Sequence, residues 1–176
     1  MQQEQLSDSE LILRIRKSDA EAFKILYFRY HERLGGYIYG RIHSNEQTRD
    51  MLQEIFTWVW QNRSKLKIKT SLSAYLYRMA HNMTVNLYKK GSRERAYIAS
   101  RLSQTDVAAD DITDLQIDLE MALNSLPEKL RTVFILSRFE GLKNSEIAEI
   151  LNISVKTVES RITQVLKKMR EIFSSR

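Results

Sequence analysis

Residues 144–171 read NSEIAEILNISVKTVESRITQVLKKMRE, and this stretch decides the fold class. Ile147, Ala148 and Leu151 recur at helical spacing and give a first helix its inner face. Val155, Val158, Ile162, Val165, Leu166 and Met169 do the same for a second. Between them Asn152-Ile153-Ser154 has room only for a tight turn: Asn152 tolerates left-handed geometry and Ser154 is a good N-cap for the helix that follows. The second helix turns Lys156, Thr157, Glu159, Ser160, Arg161, Gln164, Lys167 and Lys168 outward. Two helices joined by so short a turn, the second polar outside and basic toward its end, form a helix-turn-helix that lays its second helix in the major groove of DNA. In that geometry Lys156, Glu159 and Ser160, near the helix start, reach base edges, and Arg161 forks onto a guanine or clamps a phosphate. Lys167, Lys168 and Arg170, with the backbone amides at the helix start, meet phosphates. The same pattern also describes a plain helical hairpin with a solvated basic face; the local excess of cations favours the DNA reader.

Working outward, helical periodicity continues almost everywhere and strict alternation almost nowhere, so the chain is expected to be all-α. Helices are expected near 8–17, 19–42, 46–63, 71–90, 113–125, 128–139, 144–151 and 155–172. Gly35-Gly36 and Gly40 should fray the second. Pro127, the only proline, suits the first turn of a helix, and Gly141 suits the left-handed position just past that helix's end. The stretch GSRERAYIASRLSQTDVAADD, residues 91–111, lacks a clean apolar period and reads as a linker with room for a short helix in its basic half. Two helical modules are therefore expected, 1–92 and 113–176, joined by a flexible linker at 93–112.

Composition narrows the function. The chain has 176 residues, 43% of them hydrophobic, enough for a core in each module. No long apolar run and no basic-then-apolar N-terminus occur, so a membrane span or a cleaved secretory signal is not expected and a cytoplasmic location is. No cysteine and only three scattered histidines argue against disulfides and a zinc site, and no cofactor is expected. GSRERA lacks the glycine spacing and Lys-Ser/Thr of a phosphate-binding loop, and no nucleophile–base set is present, so an enzyme is not expected. Charge comes in blocks: ten Lys/Arg against one Glu over 61–101, six acids and no base over 102–120, then six bases against two acids over 154–176. Two anion-binding surfaces separated by a segment that the same anion repels fit that distribution.

Two stretches of the first module carry chemistry. DMLQEIFTWVWQNR, 50–63, places Leu52, Ile55, Phe56 and Val59 at core spacing and leaves Asp50, Gln53, Glu54, Trp58 and Trp60 for other faces; the tryptophans are either core or a protein-docking face. SKLKIKTSLSAYLYRMAHNMTVNLYKKG, 64–91, mixes lysines with Tyr75, Tyr77, Tyr88, Asn82 and Asn86. Bases drawn out of a duplex need a stacking partner, a cationic groove and amides for their edges, and all three residue types are here; a core helix with tyrosine rims would look the same.

LPEKLRTVFILSRFEGLKNSEIAEILNISVKTVESRITQVLKKMR (126–170) closely resembles the C-terminal domain of the extracytoplasmic-function (ECF) class of bacterial RNA polymerase sigma factors. LILRIRKSDAEAFKILYFRYHERLGGYI (11–38), DMLQEIFTWVW (50–60) and LSAYLYRMAHNMTVNLYKK (72–90) resemble the successive motifs of its N-terminal domain. The resemblance implies a promoter-specificity subunit that binds core polymerase through Asp50, Gln53, Glu54 and Trp60. It implies that the minus-ten element is melted and held by Leu66, Lys67, Lys69 and Ser71 of the loop and by Tyr75, Arg78, Asn82, Asn86, Lys89 and Lys90 of the helix after it. It implies minus-thirty-five recognition by Ser154, Lys156, Thr157, Glu159, Ser160, Arg161, Gln164, Lys167 and Lys168. Tyr75 stands where the family has Trp, His81 where it has Arg and Asn86 where it has Asp. Lys143 replaces a capping Ser or Thr, leaving Asn144 to cap, and Asn152 replaces a turn glycine. The implied partners are core polymerase, promoter DNA and an anti-sigma factor, often membrane-bound, with no small-molecule substrate. In that family the linker threads toward the RNA exit path, where the carboxylates of SQTDVAADDITD could occupy basic surface; a solvated spacer is the plainer reading. The competing account is a stand-alone helix-turn-helix regulator, which leaves the 50–90 motifs without a role.

Overall fold

A computed structural model describes residues 6–68, 70–98, 122–123 and 125–174, with no side chains described over 89–98. The described residues fall into two units, one within Met1–Ala99 and one within Ser100–Arg176. Among them all regular structure is helical, no helix is long and apolar enough to cross a membrane, and no cluster of His, Cys, Asp and Glu could hold a metal.

The first unit contains α1 (Asp8–Arg16), α2 (Ala20–Ile42), α3 (Asn45–Gln61), a 3-10 turn (Arg63–Lys65) and α4 (Leu72–Ile98). Side-chain caps set the helix starts. Ser7 and Glu10 form a reciprocal capping box, the Glu10 carboxylate accepting from the Ser7 N–H at 2.8 Å. Asp19 caps α2 through the Ala22 N–H at 3.0 Å, and Ser71 caps α4 through the Ala74 N–H at 3.1 Å. His43, at φ 51°, ends α2 in the left-handed conformation.

The expected fraying of α2 does not occur: the helix is continuous through Gly35, Gly36 and Gly40. Each glycine costs a helix about 1 kcal/mol relative to alanine. Leu26, Leu34 and Ile38 of the same helix are completely buried, and burial returns roughly 1.5–3 kcal/mol per such side chain. Packing against α1, α3 and α4 therefore outweighs propensity. At Gly35 a Cβ would make only an ordinary 3.4 Å contact with Leu52 Cδ1, so the approach of α3 does not depend on the glycine. Helix α4 runs beyond the expected 90 to Ile98, through the basic half of the stretch read as linker. The rest of that stretch, and most of the helix expected at 113–125, lies outside the described residues.

In the second unit α5 (Glu128–Phe134) passes into a π-helical turn (Ile135–Phe139), followed by α6 (Asn144–Leu151) and α7 (Val155–Ser174). The single helix expected over 128–139 is thus α-helical only in its first half. The Glu140 N–H reaches back to the Ile135 carbonyl at 3.1 Å, and Gly141 takes φ +65°, the left-handed turn expected of it. Pro127 sits one residue earlier than expected, at the cap, where its carbonyl accepts from the N–H groups of Leu130 and Arg131 at 2.9 and 3.0 Å. Asn144 is not the cap of α6: the Glu146 carboxylate instead turns back to the Lys143 N–H at 2.9 Å.

Helix α7 buries a narrower face than its sequence suggests. Val158, Val165 and Met169 are buried, Ile162 is half-buried, and Val155 and Leu166 are 42% and 40% exposed. The buried stripe is the one packed on α5 and α6. Val155, Leu166 and Phe173 lie one step around the helix and face solvent. On α6, Ile147 and Ala148 are buried as expected, while Leu151 is only partly so and Ile150 is buried in addition.

Candidate nucleic-acid interface

The turn between α6 and α7 is built as its residues dictate. Asn152 takes φ 52° and ψ 50°, and the Ile153 N–H closes on the Ala148 carbonyl at 3.0 Å. Ser154 Oγ accepts from the Thr157 N–H at 3.1 Å, capping α7. The two helices are thereby held as a helix-turn-helix. Ser154, Lys156, Thr157, Ser160, Arg161, Gln164 and Lys168 line one wall of an open groove of about 620 Å³. Its other wall is Pro127, Lys129 and Leu130 at the start of α5. No carboxylate lines it, so the four cations within it face a field of one sign. Glu159 and Lys167 are exposed but lie outside the lining, farther around the helix.

On α4, Tyr75, Arg78, Asn82 and Asn86 fall at i, i+3, i+7 and i+11 and share one face. Asn82 and Asn86 are exposed, whereas Leu76, Tyr77, Ala80 and Thr84 on the other side are fully buried. Tyr75 is half-buried, which raises its phenol pKa, and its ring centroid is 6.1 Å from that of Trp58 of α3, itself 40% exposed. In the preceding loop Lys67 is exposed, while Ser71 spends its hydroxyl on the cap of α4. Leu66 departs from expectation. Its side chain is buried, 3% exposed, and its carbonyl accepts from the Arg16 guanidinium, so it anchors the loop to α1 and offers no side chain to DNA. Lys69 lies outside the described residues, as do the side chains of Lys89 and Lys90.

Behind this face a polar network joins α4 to α2. The Tyr37 hydroxyl lies 3.0 Å from His81 Nδ1, Arg41 Nε donates to Thr84 Oγ1 at 3.0 Å, and the Thr84 hydroxyl donates to the His81 carbonyl at 2.8 Å. Burial, with the Arg41 charge adding to it, pushes the His81 pKa down to about 4.

Helix α3 buries Leu52, Ile55, Phe56 and Val59 as its spacing requires. Gln53 and Trp60 line a second groove, of about 420 Å³, whose opposite wall is Phe23, Tyr27 and His31 of α2. Trp60 is half-buried: its ring lies 5.0 Å from Phe23, and the Arg63 guanidinium sits 4.5 Å above it, tied to Ser18 Oγ at 2.9 Å. Asp50 and Glu54 are exposed outside that lining. The α2 wall was missed in the sequence, although Phe23, Tyr27 and His31 recur every fourth residue and so mark one face.

Known proteins share this arrangement. The Sigma-70 region 2 family model matches residues 26–94, which lie in α2, α3 and α4, and the Sigma-70, region 4 model matches 116–169, which includes α5, α6 and most of α7. The ECF RNA polymerase sigma-E factor of Escherichia coli (strain K12) is 30% identical over 173 residues, covering 90% of this chain and 90% of that one. The chain belongs to the ECF sigma factors. Another ECF sigma factor, SigW of Bacillus subtilis (strain 168), is 28% identical over 175 residues, with 91% and 93% of the two chains covered. Two solved structures share the sigma-factor fold. The sigma factor RpoE of Bartonella quintana, in complex with the anti-sigma factor NepR, superposes with a TM-score of 0.72 at 21% identity over 86% of this chain and 96% of that one. CnrH, in complex with the cytosolic domain of CnrY, gives 0.66 at 22% identity over 96% and 97%. An ECF sigma factor binds core RNA polymerase and directs promoter-specific initiation without catalysing a reaction, so the stand-alone regulator is not favoured.

Proposed function

We propose that the two units divide the work of this sigma factor. The first docks on core polymerase through the end of α3, with Gln53 and Trp60 in the α2–α3 groove and Asp50 and Glu54 on its rim, and holds the unpaired non-template strand of the minus-ten element. Lys67 and Ser71 of the loop and Tyr75, Arg78, Asn82 and Asn86 of α4 form that trap, extended along the chain by Lys69, Lys89 and Lys90. The second unit reads the minus-thirty-five duplex with α7, through Ser154, Lys156, Thr157, Glu159, Ser160, Arg161, Gln164, Lys167 and Lys168. The protein acts in the cytoplasm and is held in check by an anti-sigma protein, as RpoE of Bartonella quintana is bound by the anti-sigma factor NepR.

The α4 face carries the reading. Two amides stand exposed beyond an aromatic pair, on a helix whose reverse side is sealed into the core. Unstacking a base step costs a few kcal/mol, and stacking on an aromatic ring returns roughly 1–3 kcal/mol per base, so edge contacts by amides must supply part of the balance. Asn82→Ala should leave closed complexes of the holoenzyme nearly normal and lower the fraction that opens by about tenfold, as loss of a good base-edge contact does. Permanganate reactivity of unpaired thymines reads the open fraction. A template already mismatched over the minus-ten region should partly rescue the variant. Opening at the wild-type level would remove Asn82 from the trap.

A further inference from the structure

We infer that the groove between the start of α5 and α7 seats the phosphodiester backbone of duplex DNA, and that Lys129, on the wall opposite the reading helix, is a phosphate contact. This rests on the helix-turn-helix reading but adds a residue that the reading helix does not contain. Lys129 faces Lys156, Arg161 and Lys168 across the groove, and no carboxylate lines it. None of the four takes part in an ion pair among the described residues. Four like charges around one concavity repel one another, and an anion between them relieves that repulsion.

Both walls are fixed before any ligand arrives. Leu130, the residue after Lys129, is buried in a cluster with Leu126, Val165 and Met169, so the core that seats α7 also seats the opposite wall. Pro127 pins the backbone below Lys129 through its carbonyl. Serine, threonine and glutamine fill the α7 wall between the cations, offering hydroxyl and amide donors along the groove as phosphate oxygens require. Lys129 stands off the helix that enters the major groove, so its contact carries no sequence information.

The test uses holoenzyme on promoter fragments in which single phosphates of the minus-thirty-five half are replaced by neutral methylphosphonates. In the wild type one or two of these linkages should weaken binding about three- to tenfold. Lys129→Gln should lose a similar factor on unmodified DNA, equally on consensus and scrambled minus-thirty-five sequences, and become insensitive to the same linkages. The slope of log K against log salt should flatten by about 0.9, one phosphate contact's worth, and Lys129→Arg should bind as wild type. A Gln variant that binds as wild type, or keeps its full sensitivity to every linkage, overturns the proposal. So does one that loses affinity for core polymerase without DNA, which would make the groove a protein contact. If no linkage in that half affects even the wild type, the helix-turn-helix reading falls with it; a base-specific loss in Arg161→Ala together with an unaffected Lys129→Gln would sink Lys129 alone.

Discussion

His81 makes the stability of the first unit depend on pH in a window that can be worked out in advance. Its side chain sits at the α2–α4 junction, Nδ1 3.0 Å from the Tyr37 hydroxyl and close enough to Arg41 to feel its charge. The neutral ring shares one hydrogen bond with the Tyr37 hydroxyl through Nδ1. Protonation would put a charge on a ring largely withdrawn from water and, less strongly, beside the Arg41 cation. Burial first and Arg41 second therefore pull the folded pKa from the ordinary 6.5 down to about 4. Above 6.5 neither folded nor unfolded chain holds the proton, and the native network is fully stabilising. Between 6.5 and 4 the unfolded chain binds more protons, so stability drops as pH falls through that window and this group adds no further loss below it. The full difference would be worth about 3 kcal/mol at 1.36 kcal/mol per pH unit; the ring keeps some contact with water, which reduces the expectation to about 1–2 kcal/mol. Both tryptophans of the chain, Trp58 and Trp60, lie in this unit, so urea unfolding followed by tryptophan fluorescence reads it alone. Comparing wild type with His81→Gln at pH 7.5, 6.0, 5.0 and 4.5 cancels the titration of other carboxylates and histidines. The stability difference should move by about 1–2 kcal/mol in favour of the variant across the series. A constant difference would refute the buried neutral histidine.

Three further outcomes follow from the geometry. Asn152 holds the left-handed turn between α6 and α7, so Asn152→Ala should destabilise the second unit by about 1 kcal/mol in thermal unfolding followed by circular dichroism, and Asn152→Gly should not. Trp60→Ala combined with Gln53→Ala should weaken binding of labelled sigma factor to core polymerase by about 2 kcal/mol or more, and unchanged affinity would mean that the α2–α3 groove is not the docking site. Arg161→Ala and Lys156→Ala should each cost about 1–3 kcal/mol on the preferred minus-thirty-five sequence and relax preference at one position; equal losses on preferred and scrambled sites would remove both from base reading.

The helices were legible because their starts are written in single residues. Ser154 accepts the backbone N–H that a cap must accept, as Ser7, Asp19 and Ser44 also do, and Gly141, which lacks a Cβ, and Asn152 take the left-handed turns expected of them. What escaped the sequence depends on neighbours. Val155 and Leu166 have the right spacing for a core, but the stripe α7 buries is decided by where α5 and α6 approach it. Leu66 lies in a basic loop that reads as a nucleic-acid contact, yet one apolar side chain in a short loop is more economically buried, and Arg16 secures its carbonyl. The π-helical turn after Phe134 has no residue signature. The α7 wall of the groove was visible because one helix supplies it; the opposite wall, from a residue some thirty positions earlier, could be found only in space.

Each unit closes its own hydrophobic core and carries its own outward face, which makes the chain a divalent ligand. Once one face is engaged, the covalent link keeps the other near its own site, and its attachment is governed by effective concentration. Neither face then needs to hold promoter DNA tightly by itself. Weak individual grips also leave such a complex easy to take apart one end at a time.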